Sequence, residues 1–225
     1  ECFICKHWNS NFKFDTKKFY EGDYTDQSYK NFELRFKKIV NLKKKKSDNY
    51  FRTKRIENFI LNKFTKKPHI LDVGSGLGVF PFSIVSRGFK CDALDPDPNM
   101  VKHIKKHIKL NKVFCSNFLN FKSKKKYNLI TLNKVLEHVQ NPKKFLLNAK
   151  NLLQKNGYLY IELPDIEEAS TKGKNREEFT IEHVQGFTFN SIYKLISDLK
   201  MDLEVFKRIN EPSGKFTFYC IVKKN

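Results

Sequence analysis

"ILDVGSGLGVF", residues 70–80, decides the fold. Ile70 to Val73 is an apolar run broken only by Asp72, and it reads as a buried strand. Glycines follow at every second position, Gly74, Gly76 and Gly78, before apolar residues resume. Strand, glycine turn and helix open a Rossmann-type unit, because glycine lets the backbone turn tightly and approach a ligand closely. The dinucleotide fingerprint is G-x-G-x-x-G, whereas the spacing here is G-x-G-x-G with an acid two residues before the first glycine. The glycines alone do not choose the ligand.

Outward from that turn, strand and helix patterns alternate to the end of the chain. Apolar strand runs are read at 69–73, 89–94, 112–116, 128–132, 157–163, 202–209 and 215–223. Asp97-Pro98 supplies a cap and first position for a helix over Met100–Leu110, and Pro81 inside the first helix predicts a local kink. Asn141-Pro142 opens the next helix, whose apolar face is Phe145, Leu146, Ala149, Leu152 and Leu153 and which Asn156-Gly157 is expected to end. The last two strands are joined by the short "NEPSGK" turn and must pair antiparallel. The expected fold is α/β: a Rossmann-like, mostly parallel seven-stranded sheet with a C-terminal antiparallel hairpin. Residues 1–66 are aromatic-rich and then helical, with Ser47-Asp48 a plausible cap for a helix reaching Phe64. Too small for a core of their own, they are read as an N-terminal cap segment on a domain spanning 67–225.

The formal net charge of +20 invites a nucleic-acid reading. Of the 44 basic residues, however, 38 are Lys and 6 are Arg, a bias that AT-rich codons produce without selection for a basic face. Nucleic-acid readers lean on Arg for forked contacts. In "NMVKHIKKHIKL" the lysines fall off the Val101, Ile104, Ile108 stripe, as on a solvated helix, and His103 and His107 are placed on that surface helix. The charge still favours an anionic substrate. Five cysteines in 225 residues do not form a disulfide framework, and Cys91, Cys115 and Cys220 are read as buried thiols. No run is long and apolar enough to span a membrane and no signal peptide is visible, so a cytoplasmic protein is expected. The chain opens at Glu1 rather than Met, which leaves room for residues upstream.

Four stretches taken together, "ILDVGSGLGVF", "CDALDPDP", "YNLITLNKVLEHVQNPKKFL" and "GYLYIELPD", resemble the class I S-adenosylmethionine (SAM)-dependent methyltransferases, in particular the ubiquinone-type and sugar methyltransferase group. They occur in that family's order and spacing over about residues 50–225. The resemblance implies SAM as cofactor, with Asp72, Gly74, Ser75, Gly76 and Gly78 forming the turn beneath its methionine part. Asp72 would order the turn through backbone amides. Asp95, followed by Pro96, would accept from both ribose hydroxyls, a role parallel to that of the acid in dinucleotide sites. The family commonly places an Asp for the adenine amino group where this chain has Asn117, whose side-chain carbonyl can still accept that bond. Phe118 is either the apolar flank of adenine or a plain core residue. Asn133, Lys134 and Val135 would line the methionine part. Arg52 or Arg55 would pair with the cofactor carboxylate.

The loop after the fourth strand also excludes rivals. Nucleic-acid amine methylases carry [DN]-P-P-[FYW] there and cytosine C5 enzymes a Pro-Cys nucleophile; Asn133-Lys134-Val135-Leu136 is neither. "EHVQGFT", residues 182–188, resembles the E-H-x-x-x-F-[ST] element of sugar methyltransferases. That resemblance makes His183 the first candidate for a general base, with Glu182 orienting its ring or binding a neighbouring hydroxyl. His138 is the second, either a cleft wall or a substrate contact. "CFIC" is similar to the zinc module of some sugar-modifying relatives, but Cys2, Cys5 and His7 fall short of a closed four-ligand site, so no metal is assigned. Tyr20, Tyr24 and Tyr29 are candidates for the acceptor pocket or for packing the cap. The implied function is methyl transfer to a small molecule, foremost a hydroxyl of a nucleotide-linked or polysaccharide-precursor sugar. An RNA methyltransferase and a non-catalytic SAM-binding partner subunit are the alternatives.

Overall fold

A computed structural model describes residues 1–10, 31–173 and 175–225. In chain order the elements begin with β1 (Trp8–Asn9), α1 (Phe32–Val40), α2 (Asp48–Lys63), β2 (His69–Val73), α3 (Val79–Val85), β3 (Lys90–Asp95), α4 (Pro98–His107) and β4 (Lys112–Cys115). They continue with β5 (Tyr127–Asn133), α5 (Pro142–Leu152), β6 (Leu153–Pro164), α6 (Ile166–Ser170), β7 (Gln185–Gly186), α7 (Phe189–Asp198), β8 (Met201–Asn210) and β9 (Phe216–Lys224). A seven-stranded, mostly parallel sheet with a C-terminal antiparallel hairpin is the frame, as the alternation implied. The residues gather into two compact units, Asp15–Lys122 and Glu1–Phe14 with Ser123–Asn225.

In the unit Asp15–Lys122, β2, β3 and β4 run parallel, with Asp72 opposite Ala93 and Asp95 opposite Cys115. In β2 and β3 every side chain after the first is buried, Asp72, Asp92 and Asp95 included. Phe36 of α1 is buried with Ala93, Ile104 and Ile108, a contribution of roughly 1.5–3 kcal/mol for one large apolar side chain. Ser47 caps α2 by accepting from the Tyr50 amide, and Asn49 ties that helix to α3 through Ser83 Oγ at 2.8 Å. Asp97 caps α4 at the Asn99 amide, with Pro98 at its first position. Pro81 departs from expectation. It is the third residue of α3, in the first turn, where a backbone amide has no helical acceptor, so no ladder bond is lost. His103 also departs from its surface placement: it is 6% exposed, with its ring edge-on to Phe36. Cys91 is a buried thiol, but Cys115, at the end of β4, is exposed.

In the other unit, β5 and β6 are parallel, and β9 runs antiparallel to both β6 and β8. The register between β5 and β6 jumps from Tyr127↔Leu153 to Leu129↔Tyr158. That jump corrects the expected helix end: α5 stops at Leu152, and Asn156-Gly157 instead turn an irregular step inside β6. Asn156 takes a left-handed φ of 58°, and a Cβ on Gly157 would press on three backbone carbonyls at 3.0–3.2 Å, which would have to give by a few tenths of an ångström. Cys220 is buried on β9. The two-residue pair β1 and β7 joins Trp8 opposite Gly186, fixing the segment that carries His183. No helix among the described residues is long and apolar enough to cross a membrane.

Candidate active site

The glycine turn in the unit Asp15–Lys122 is held by carbonyls and one carboxylate. The amides of Gly74 and Ser75 donate to Leu94 O at 2.8 and 3.2 Å, and the Gly78 amide donates to Ser75 O at 2.8 Å. Asp95, at the tip of β3, takes the Gly76 amide on Oδ2 at 2.7 Å and the Asp97 amide on Oδ1 at 2.9 Å. The amide-ordering task expected of Asp72 is therefore filled at Gly76 by Asp95. Asp72 itself lies 2% exposed, and its carbonyl accepts from Ser75 Oγ at 3.0 Å. Each Asp95 oxygen has spent one lone pair on an amide and keeps one. Burial pushes this carboxyl up to about 6, against the pull of the two amides.

This turn fits the adenosyl and methionine parts of SAM. Gly76 has a left-handed φ of 51°, and among the described residues a Cβ built there meets no heavy atom within 4 Å. Pro96 is half-buried, and its carbonyl accepts from Cys115 Sγ at 3.8 Å. Asn117 is exposed, and its Oδ1 already accepts the Leu119 amide at 2.9 Å, leaving one lone pair. Phe118 is buried. The candidates Asp72, Gly74, Ser75, Gly76, Gly78, Asp95, Pro96, Asn117 and Phe118 all belong to this one unit. Tyr20, Tyr24 and Tyr29 lie outside the described residues.

Arg52 and Arg55, half-buried on α2, belong to the same unit, and the remaining candidates sit in the other one. Lys134 follows β5 with a φ of 58°; its amide donates to Glu162 O at 3.0 Å and its Nζ to Thr217 Oγ1 at 2.6 Å. Asn133 and Val135 beside it are half-buried. A single 3₁₀ turn, Leu136–His138, comes next, pinned by the fully buried Leu136. Two imidazoles meet there: the rings of His138 and His183 lie 5.0 Å apart, edge to face. Nδ1 of His138 bonds to Glu182 O at 2.9 Å and Nδ1 of His183 to Glu178 O at 2.8 Å. A carbonyl can only accept, so both rings carry their proton on Nδ1 and leave a lone pair on Nε2.

Glu182 thus differs from expectation. It is the Glu178 carbonyl that orients His183, whereas Glu182 contributes its own carbonyl, to His138. Burial lowers both imidazoles; the Glu137 charge pulls His183 back up, while Lys134 and His138 reinforce the lowering. Glu137 itself is 1% exposed, and among the described residues neither carboxylate oxygen has a hydrogen-bond partner. Burial pushes it up to about 7, opposed by the charges of Lys134 and His183. Sequence reasoning passed over Glu137, although its place between the strand end and His138 was the available signal.

Ligating atoms of Glu137, His138 and His183 lie within 4.8 Å of one another, the one such grouping found among the described residues. The Lys134 ammonium facing Glu137 and His183 works against a cation there, and the arrangement suits proton handling. Among the described residues, Cys2, Cys5 and His7 do not gather into a ligand grouping. Nε2 of His7 bonds to Gln185 Oε1 at 2.7 Å and its ring sits edge-on to Phe187, docking the N-terminal strand.

A glycine turn closing β2, a buried acid ending β3 and a reversed terminal hairpin define a class I SAM-dependent methyltransferase. The methyltransferase-domain family matches residues 46–199, and the chain belongs to that family. It is 26% identical over 168 residues to the ubiquinone biosynthesis O-methyltransferase of Rickettsia canadensis (strain McKiel), covering 66% of this chain and 71% of that protein. Against the Rickettsia akari (strain Hartford) enzyme of the same name the identity is 30%, over 44% of this chain and 41% of that protein. Among solved structures, the plantazolicin methyltransferase BpumL, in complex with a triazolic desmethylPZN analog and SAH, superposes with a TM-score of 0.67 at 15% identity. That match covers 92% of this chain and 94% of the other. Magnesium protoporphyrin IX methyltransferase from Synechocystis PCC 6803, with bound SAH, gives 0.65 at 10%, covering 93% and 97%. At such identities the structural matches speak for the fold.

Proposed function

We propose that this enzyme methylates a hydroxyl oxygen of a small molecule, with His183 as the base that removes the hydroxyl proton. The carrying observation is the pair of imidazoles whose Nδ1 atoms are fixed by the carbonyls of Glu178 and Glu182. Each therefore presents Nε2 as an acceptor, which is what proton removal needs and what methylation of an amine or thiol needs less. Bound SAM supplies an electrophilic methyl group on a sulfonium. The chain's own tasks are to hold that cofactor, to exclude water and to take the proton. Gly74, Ser75, Gly76, Gly78 and Asp72 shape the methionine floor, and Asp95 beside Pro96 receives the ribose hydroxyls on its two spare lone pairs. Asn117 takes the adenine amino group, Phe118 backs the adenine edge, and Asn133, Lys134 and Val135 contribute from the β5 end. Glu182 and His138 complete the acceptor wall.

A sugar hydroxyl on an anionic carrier is the first acceptor class, supported by the likeness of residues 182–188 to the sugar enzymes and by the net charge of +20. A phenolic hydroxyl is the second, supported by the names of the ubiquinone-pathway relatives. Residues 1–66 act in this reading as a cap on the domain 67–225. The cytoplasm is the inferred location, supported by five cysteines that all stay free thiols. The test is a labelled-methyl screen across nucleotide sugars and catechols, run with wild type and His183→Asn. A true base costs roughly 10²–10⁴-fold in turnover and leaves cofactor affinity nearly intact. Wild-type turnover in His183→Asn, or methylation of amines alone, would overturn the reading.

A further inference from the structure

We propose that Glu137 and His183 form a buried carboxylate–imidazole pair that shares the proton taken from the acceptor, Glu137 acting through His183 as its positioning residue. The inference rests on the hydroxyl-methylation reading above. It starts from an electrostatic anomaly: a carboxylate that is 1% exposed and that, among the described residues, has no hydrogen-bond donor on either oxygen. Ionised and alone, such a group carries a heavy desolvation cost, so at neutral pH it needs either a proton or a nearby cation. The geometry offers both from one source. His183 has its Nδ1 committed to the Glu178 carbonyl, and one of its ring nitrogens belongs to the grouping whose ligating atoms lie within 4.8 Å of one another. A proton arriving on Nε2 makes the imidazolium that the carboxylate lacks.

His138 lies in the same grouping, but the electrostatic link runs to His183. The Glu137 charge strengthens proton binding at His183, and the His183 charge strengthens ionisation of Glu137. The other charged groups facing the pair are Lys134, which favours the ionised carboxylate and the neutral ring, and Glu162, which does the reverse for Glu137. Glu162 is itself occupied by the Tyr160 hydroxyl at 2.8 Å.

The step balances without a further reactant. The acceptor O–H bond breaks, and its oxygen forms the new bond to the methyl carbon. The sulfur leaving group keeps the electron pair of the bond that breaks, and the proton passes to Nε2 of His183. The pair thus goes from net charge −1 to neutral while one positive charge disappears from the methyl donor. Buried charge is cancelled, not created, and a low-dielectric site favours that direction. Two strongly interacting groups titrate as one system, so the active form is the pair with no shared proton.

The test uses full-length protein without cofactor, with ¹⁵N-labelled imidazoles followed by NMR from pH 5 to 9. Glu137→Gln is expected to lower the His183 midpoint by about one pH unit, a roughly tenfold loss of proton affinity. Glu137→Asp, which retains the charge, is expected to restore most of it. In turnover, Glu137→Gln moves the acid limb of the pH profile to lower pH and reduces the plateau, with the KM for the methyl donor unchanged. An unmoved His183 midpoint in folded Glu137→Gln overturns the pair. So does one-to-one binding of Zn²⁺ or Mn²⁺ that Glu137→Gln abolishes, because the three side chains would then hold a cation. If the midpoint moves as expected but no hydroxyl is methylated, the pair stands and the hydroxyl reading falls.

Discussion

Asp95 permits the most direct test of the cofactor site, because its carboxylate has two tasks that separate with pH. Its oxygens hold the Gly76 and Asp97 amides at 2.7 and 2.9 Å, and the remaining lone pairs face the ribose in the reading above. Hydrogen bonds to a charged acceptor contribute about 1.5–3 kcal/mol, so Asp95→Asn is expected to weaken S-adenosylhomocysteine binding by roughly 10- to 150-fold. Wild type carries a second signature. Burial holds this carboxyl at about 6, so at pH 5 only about a tenth of the molecules present it ionised. Calorimetry at pH 5 and pH 7.5 is expected to show up to about tenfold weaker binding at the lower pH, and Asp95→Asn is expected to lose that dependence. The folding linkage has the opposite sign to the usual acid. The folded value lies above the unfolded one near 3.8, so the native state holds the extra proton between them. Stability therefore falls as pH rises from about 4 to 6, by at most ~1.4 kcal/mol per unit, and Asp95→Asn flattens that slope. Equal wild-type affinity at both pH values, or an Asn variant that binds as wild type does, would refute the placement of the ribose on Asp95.

Two further substitutions probe the packing that positions the sites. A Cβ on Gly186 would lie 2.6 Å from Trp8 Cδ2, so Gly186→Ala is expected to push β1 off β7 at a cost of about 1–3 kcal/mol. Trp8 is the single tryptophan, and a red shift of its emission reports the displacement; unchanged emission would refute it. Burial and the neighbouring His107 hold His103 below its ordinary value, Lys106 adding to this and Glu33 opposing it. The unfolded chain consequently binds more protons below pH 6.5, and stability falls as pH drops through that window. His103→Leu is expected to lose less stability between pH 7 and pH 5 than wild type, read as urea midpoints. A parallel loss would mean that His103 is not the group responsible.

The sequence alone settled what repeats locally. Glycine spacing, the acid ending the next strand and the caps Ser47, Asp97 and Asn141 are short-range signals. Backbone dihedrals and capping bonds act within a few residues, so these positions could be read from their neighbours. The strand order of the C-terminal hairpin followed from the short "NEPSGK" link for the same reason. Where local and long-range forces disagreed, the reading failed. Asn156-Gly157 carries the signature of a helix end, yet the pairing of β5 with β6 draws Leu153 into the sheet and leaves that turn inside a strand. His103 looked like part of a solvated stripe until Phe36, 67 residues earlier in the chain, covered it.

The candidate base shows the division most plainly. The Glu182-His183 motif singled out an imidazole whose ring is oriented by the Glu178 main-chain carbonyl, and every residue has such a carbonyl. No side-chain pattern could have singled out Glu178. Glu137 is an ordinary acid in the sequence; only tertiary burial, which strips its water and outweighs the opposing charges of Lys134 and His183, gives its carboxyl a midpoint close to neutrality. Residue type determines which chemistry is available along the chain, whereas the dielectric and the neighbours that tune it come from segments far apart in sequence, and only folding brings them together.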